Sequence, residues 1–335
     1  MLKTAEFVSL GHPDKTADFI SSYILDRFIE QDSKVKYAVE VMVKGNTVVL
    51  GGEVCSNTKL KNIETYIKDA VRKIGYDERY HQIWKENALD VTSLKIINLI
   101  GCQSCEIFQG VENGGWGDQG VFAGYACQGD SLLPKELFLA KKLNNALYQK
   151  ALKSDNLGLD IKTQITIDEK GKIKTAIAAI PMLVSENLKP FIEEILGDKP
   201  EEIIINGTGD YVCHSAIADC GITGRKLACD FYSTTCPVGG GSPWAKDASK
   251  ADVSLNILAR KLAVQNLKDN DEVFVYLSSC IGRSTLPSAT LKTVKNGAIS
   301  WQNLEGDFSP RAVIKNLGLD KPVFADLCAK GITAI

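Results

Sequence analysis

An α+β fold, built from one helix-and-hairpin unit used three times, is what the 335-residue chain predicts. Three observations lead there. Three long segments carry apolar residues at helical spacing, each is followed by two extended runs with a turn between them, and these pairs begin near residues 36, 162 and 272. Helix and hairpin recur in most mixed proteins and the units share no residue-level identity, so the repeat is one of architecture.

The first helix is expected over Asp14 to Gln31, where Ala17, Ile20, Ile24 and Phe28 fall on one face. Its hairpin runs from Tyr37 to Val54 and turns at Gly45-Asn46. The second pairs a helix at Pro134 to Lys153 with a hairpin at Lys162 to Pro181, turning near Glu169-Lys170-Gly171. The third spans Asp247 to Asn266, with Ala251, Leu255, Leu258 and Leu262 as its stripe and Asp247 as the expected N-cap. Its extended runs lie within Glu272 to Ile299, divided by a polar, proline-containing middle. Between the units, Gly114 to Ala126 reads as a glycine-rich loop running into a buried strand, and Leu227 to Tyr232 as a further extended run.

Composition narrows the function. Hydrophobic residues at 44% and charged residues at 24% belong to an ordinary globular chain with ample core. A formal net charge of −2 supplies no field for a nucleic-acid backbone, so nucleic acid is not an expected partner. There is no apolar run of roughly 18 residues and no apolar signal core at the N-terminus, so the protein is expected to be cytoplasmic, with no membrane partner. Ten cysteines in such a chain are expected to be reduced thiols. Cys102-Gln-Ser-Cys105 has zinc or dithiol spacing, but no second pair accompanies it and only three histidines exist, so it is read as incidental.

Charged residues beside glycines point to an anion. Leu10-Gly-His12-Pro-Asp14-Lys15 precedes the first helix, where free amides and the helix dipole favour negative charge; plain N-capping by Asp14 is the alternative. Val238-Gly-Gly-Gly-Ser242-Pro-Trp-Ala-Lys246-Asp-Ala-Ser-Lys250-Ala-Asp252 sets two lysines four apart at a helix start, an arrangement that makes sense with a phosphate between them. It lacks the Gly-Lys-Ser/Thr of a kinase-type phosphate loop. Asp219-Cys-Gly-Ile-Thr-Gly-Arg225-Lys226 ends in a forked and a point cation, suited to polyphosphate, unless it is only a turn into a strand. Glu40 and Glu53 sit in apolar strands and need a cation or a solvated face. Asp14 and Asp252 are the expected Mg²⁺ ligands, since Mg²⁺ takes one or two carboxylates plus substrate phosphates.

Taken together, Gly11-His12-Pro13-Asp14-Lys15, Gly51-Gly52-Glu53, Gly117-Asp118-Gln119-Gly120, Asp219 through Lys226 and Gly239-Gly240-Gly241 through Lys250 resemble the motifs of the S-adenosylmethionine synthetase family. The resemblance implies transfer of the adenosyl group of ATP to methionine sulfur, then hydrolysis of the displaced triphosphate to diphosphate and phosphate. It implies catalytic roles for His12, Lys15, Arg225 and Lys246, and ATP contacts from His12, Asp160, Lys162, Tyr211, Asp219, Arg225, Lys226, Ser242 and Lys246. Methionine would be met by Glu53, Gln103, Asp219 and Lys250, two Mg²⁺ per site by Asp14 and Asp252, and K⁺ by Glu40. It further implies three similar domains about a pseudo-threefold axis, here 1–105, 106–212 and 213–335, and a homodimer with active sites at the interface, open to further assembly as a tetramer. The chain departs from the family at Asp210, where arginine is usual, at Cys102, where lysine is usual, at His214-Ser215, which replaces a glycine pair, and in a short segment between Gly110 and Gly117. Another ATP-dependent ligase, or a non-catalytic nucleotide-binding subunit, are the rival readings.

Overall fold

In a computed structural model that describes residues 1–58, 60–102 and 114–334, three four-stranded sheets each carry one long helix. The first helix, α1 (Pro13–Ile29), packs on the sheet formed by β2 (Lys36–Lys44), β3 (Thr47–Cys55) and β4 (Lys95–Cys102). Helices α2 (Ile63–Ile74) and α3 (Glu78–Trp84) lie between β3 and β4, which pair in parallel. A second sheet of β6 (Lys162–Ile167), β7 (Ile173–Ala179) and β8 (Glu202–Ile205) lies under α4 (Lys135–Ala151), with α5 (Lys189–Leu196) between β7 and β8. The third holds β10 (Glu272–Ser279), β11 (Ser288–Lys295) and β12 (Ala298–Asn303) under α6 (Ala251–Leu267); α7 (Pro310–Leu317) and α8 (Phe324–Lys330) follow.

Each sheet is completed by a strand from another part of the chain. β1 (Lys3–Val8) pairs antiparallel with β6, from Lys3 opposite Ile167 to Val8 opposite Lys162. β5 (Gly120–Cys127) pairs antiparallel with β10, and the two-residue β9 (Gly221–Ile222) with β2. The three helix-and-sheet units thus exchange one strand each in a cycle. This pairing ties residues more than 140 positions apart, and it carries the glycine-rich turn after β9 to the start of α1.

The three expected helix-and-hairpin units are present, with turns at Gly45-Asn46 and at Asp168 to Gly171. In β2, Tyr37, Val39, Val41 and Val43 face α1 and are buried, while Glu40, Met42 and Lys44 face outward, as a period of two requires. α1 is buried on almost every side, because α2, α8, β2 and β9 all pack on it. Two of its buried carboxylates take backbone amides from these neighbours: Asp18 accepts the Gly224 amide at 2.8 Å, and Asp26 accepts the amides of Phe324 and Ala325 at 2.9 Å each. Gly221 approaches α1 so closely that an added Cβ would stand 2.1 Å from the Pro13 carbonyl oxygen.

Two expectations change. Leu227–Asp230 is a helical turn, with Phe231 N–H bonded to the Leu227 carbonyl; so short a run, apolar apart from Asp230, reads the same way as strand or helix. Asp247 is not the N-cap of α6. Its carboxylate accepts from the Tyr37 amide at 2.7 Å, the Ser249 amide at 2.9 Å and Lys250 Nζ at 2.6 Å, and the helix begins four residues later with Lys250 in the cap position. Among the described residues no helix is long and apolar enough to cross a membrane.

Candidate active site

The start of α1 is the centre of a charged cluster. His12 is the N-cap, with extended backbone, and its Nδ1 accepts the Asp14 amide at 3.2 Å. The cap is therefore His12 and not Asp14. With Nδ1 accepting, the neutral ring carries its proton on Nε2. Burial, and then the ammonium of Lys226, push the His12 imidazole from 6.5 to about 4. Asp14 is 1% exposed and accepts from Lys226 Nζ at 2.6 Å and from the Ile222 amide at 2.9 Å; Arg225 Nε lies 3.7 Å away. Burial would raise its carboxyl, but Lys226 and the Ile222 amide outweigh that and hold it below the usual carboxylate range.

Asp160 and Asp219 join this cluster. Asp160 accepts the Ser215 amide at 2.9 Å, and burial, with Asp219 and Asp14 nearby, pushes its carboxyl up to about 7. Lys162, at the end of β6, pairs with Glu6 on β1 at 2.9 Å and contributes to the field on His12. Tyr211 lies within the field of Asp160, and burial raises its hydroxyl. Four separate chain segments are thus gathered at one helix N-terminus, where the dipole and free amides favour an anion.

A second group forms around the glycine loop. Lys246 pairs with Asp252, and Lys250 with Asp247 at 2.6 Å. Lys246 stands outside the helix, in a bridge to Ala38 of β2, so the four-residue spacing of the lysines is not a helix face and two carboxylates separate them. Glu53 is opposite Ala38 on the other side of β2. Gly241 has φ +70°, and a Cβ there would meet the Asp252 carboxylate at 2.4 Å, so glycine is needed to bring the loop against the helix start. The loop also touches the first group: a Cβ on Gly224 would lie 3.2 Å from Ser242 Cβ.

Profile models of three regions match in order: the S-adenosylmethionine synthetase N-terminal domain at residues 1–105, its central domain at 113–212 and its C-terminal domain at 213–334. The chain belongs to the S-adenosylmethionine synthetase family. It is 31% identical to an S-adenosylmethionine synthase of Pelagibacter ubique, over 98% of this chain and 92% of that protein. It is 33% identical to one of Helicobacter pylori, over 98% and 92% respectively. A solved structure described as an unusual S-adenosylmethionine synthetase from Campylobacter jejuni superposes with a TM-score of 0.88 at 31% identity, covering all of this chain and 95% of that one.

Within this family member, other residues of the motifs are held by neighbours of their own. Lys15 does not face the cluster. It is 5% exposed, paired with Asp230 at 2.8 Å and Asp18 at 3.1 Å, and lies 4.8 Å over the Trp244 ring, because the helix turns it 100° away from Asp14. Glu40 points out of the sheet and accepts a hydrogen bond from Thr223. Gln103 lies outside the described residues, as does Cys105. Among the described residues, no three His, Cys, Asp or Glu side chains gather as a metal cage.

Residues to which the sequence assigned no role also shape the site. Glu6 on Lys162, Thr223 on Glu40, and His214 are examples; only pairing across remote segments places them there. Tyr80 O–H is 2.6 Å from His214 Nε2 and accepts the Leu159 amide at 3.1 Å, which fixes the backbone entering Asp160. Burial pushes the His214 imidazole to about 4. Both His12 and His214 have folded values below the ordinary 6.5, so the native state binds fewer protons than the unfolded chain. Their contribution to stability is complete above pH 6.5 and is lost as the pH falls from 6.5 through about 4. In NMR, the ring signals of both should stay in the neutral form at pH 6; a midpoint near 6.5 for either would contradict its burial.

Proposed function

We propose that the chain catalyses attack of methionine sulfur on the C5′ carbon of ATP, breaking the C5′–O bond and releasing triphosphate, which water then cleaves to diphosphate and phosphate. The observation that carries this reading is the gathering of His12, Asp14, Asp160, Lys162, Arg225 and Lys226 at the start of α1. A thioether is already nucleophilic, so no general base is required. Catalysis reduces to orientation and to stabilising the negative charge that grows on the departing triphosphate.

His12 is suited to that task. Its Nε2–H donates to the bridging oxygen while its Nδ1 stays anchored to the Asp14 amide. Arg225, half exposed, and Lys226 reach the phosphates from one side, and Lys162 from β6. Lys246 and Lys250 approach from the glycine loop, with Ser242 beside them. Lys15, locked between two carboxylates, acts by holding the helix start. Asp160 and Tyr211 meet the adenosine, and Asp219, Glu53, Gln103 and Lys250 the methionine.

The donor set fits Mg²⁺. Asp14 and Asp252 offer single carboxylates, each balanced by a lysine that phosphate oxygens can also engage, which is the arrangement Mg²⁺ uses when substrate supplies its remaining ligands. Two such ions, held by Asp14 and Asp252, neutralise phosphate charge when bound. Glu40, outward-facing and hydrogen-bonded by Thr223, is our K⁺ ligand.

A homodimer is part of the proposal. Met42 (39% exposed) and Leu99 (65% exposed) share with Glu40 the face of the β2–β3–β4 sheet opposite α1. A second copy covering that face would shield apolar surface and bring its own glycine loop toward the cluster. A cytosolic setting agrees with the free thiols of the described cysteines.

Incubation with ATP, Mg²⁺ and methionine should yield S-adenosylmethionine, diphosphate and phosphate, resolved by mass. ADP or AMP formed without methionine, and no sulfonium, would overturn the reading. Replacing Lys246 by Ala should slow both sulfonium formation and triphosphate hydrolysis by about 10- to 100-fold, the worth of a hydrogen bond to a charged group. Unchanged steady-state kinetics would remove Lys246 from the site.

A further inference from the structure

Tyr211 and Asp160, the residues assigned above to adenosine, lie on separate segments, and one buried chain of hydrogen bonds joins the peptides beside them. It starts at the carbonyl of Val212, next to Tyr211, which is 2.7 Å from His214 Nδ1. It continues from His214 Nε2 to the Tyr80 hydroxyl at 2.6 Å. It ends where that hydroxyl accepts the amide of Leu159, next to Asp160, at 3.1 Å. At the position where the family usually has glycine, His214 supplies the two middle links.

Donor chemistry allows a single arrangement. A carbonyl can only accept, so Nδ1 carries a proton toward Val212. Nε2 of the neutral ring is then an acceptor, and it takes the Tyr80 hydrogen while the Tyr80 oxygen takes the Leu159 amide. His12, with its proton on Nε2, is the opposite tautomer.

The chain is tied to a frame outside the site. The Tyr80 amide goes to Asp77, the N-cap of α3, at 2.8 Å, and the His214 amide to the Asn87 carbonyl at 2.8 Å. The His214 ring is 1% exposed and packs edge-on to Trp84, with centroids 4.7 Å apart. It fills the space beside Gly158, where a Cβ would stand 3.1 Å from Nε2. Past His214, Ser215 adopts a left-handed φ of +57°; its Oγ takes the Leu89 amide at 2.8 Å and its own amide goes to the Asp160 carboxylate at 2.9 Å. Asp160 is therefore held twice, through its backbone by Tyr80 and through its carboxylate by the peptide after His214.

We propose that His214 and Tyr80 are positioning residues, setting Asp160 against Tyr211 and with them the fit of adenosine. They act through those two residues, and the proposal rests on the adenosine reading given above. Arg225 and Lys226, on the turn after β9 and beside Asp14, stand outside this chain, so its loss spares the triphosphate end.

Calorimetry with Mg²⁺ separates the two ends of ATP, using its β,γ-imido analogue and imidotriphosphate, which has the phosphates without adenosine. Tyr80→Phe removes the acceptor of the Leu159 amide, and His214→Leu removes the donor and acceptor of the ring while still filling space. Each should weaken the ATP analogue by about tenfold and imidotriphosphate by less than about twofold, and His214→Gln, whose amide oxygen can accept from Tyr80, should recover most of the loss. An unchanged ATP analogue affinity, or equal loss of both ligands, in whichever variant folds would overturn the positioning role alone. So would ¹⁵N signals of the parent showing the His214 proton on Nε2, where Nδ1 is expected. A parent that binds both ligands equally would overturn the adenosine reading, and the proposal with it.

Discussion

His12→Asn should lower S-adenosylmethionine formation by about 10²- to 10³-fold, the usual cost of removing one preorganised donor from a developing oxyanion, while hydrolysis of added triphosphate falls much less. Asparagine is itself a good N-cap, so α1 keeps its capping bond and the change is confined to Nε2–H. The imbalance is the informative part. Charge builds on the bridging oxygen at C5′ only in the first step; in the second, the charge is on phosphate oxygens, which the proposal assigns to Lys162, Arg225 and Lys226. Equal loss of both reactions would contradict the role of His12.

Lys15→Met should act on folding before it acts on chemistry. Removing this ammonium leaves Asp18 and Asp230 facing each other without a cation inside the protein, and breaking a buried pair in this way costs about 3–5 kcal/mol. Burial already pushes the Asp18 carboxyl up to about 7 even with Lys15 in place. A urea midpoint well below that of the parent, with the folded fraction retaining ATP binding, is the expected result. A parent-like midpoint with turnover abolished would instead make Lys15 a phosphate ligand.

Lys15 also shows where sequence reading ends. The motif Gly11-His12-Pro13-Asp14-Lys15 places five residues at a helix start, yet only the helix phase and the approach of Asp230 and Trp244 decide that Asp14 faces the cluster and Lys15 the interior. The three helix-and-hairpin units were readable because their periodicities are local. The cyclic exchange of β1, β5 and β9 was not, since strand pairing over such separations leaves no local mark. Asp247 illustrates the same point. Its position before a helix suggests a cap, but Tyr37, 210 residues away, claims its carboxylate. The alternation of β2 left the direction of Glu40 open until α1 was seen to cover the opposite face.

The central claim is that the C5′–O bond of ATP breaks and the triphosphate leaves whole. ATP carrying ¹⁸O in the bridge between C5′ and the α-phosphorus tests it directly, with methionine and Mg²⁺ present. The label should appear entirely in the inorganic products, diphosphate or phosphate, and S-adenosylmethionine should carry none of it. Label retained on a nucleoside product such as AMP would show cleavage at phosphorus and contradict the mechanism.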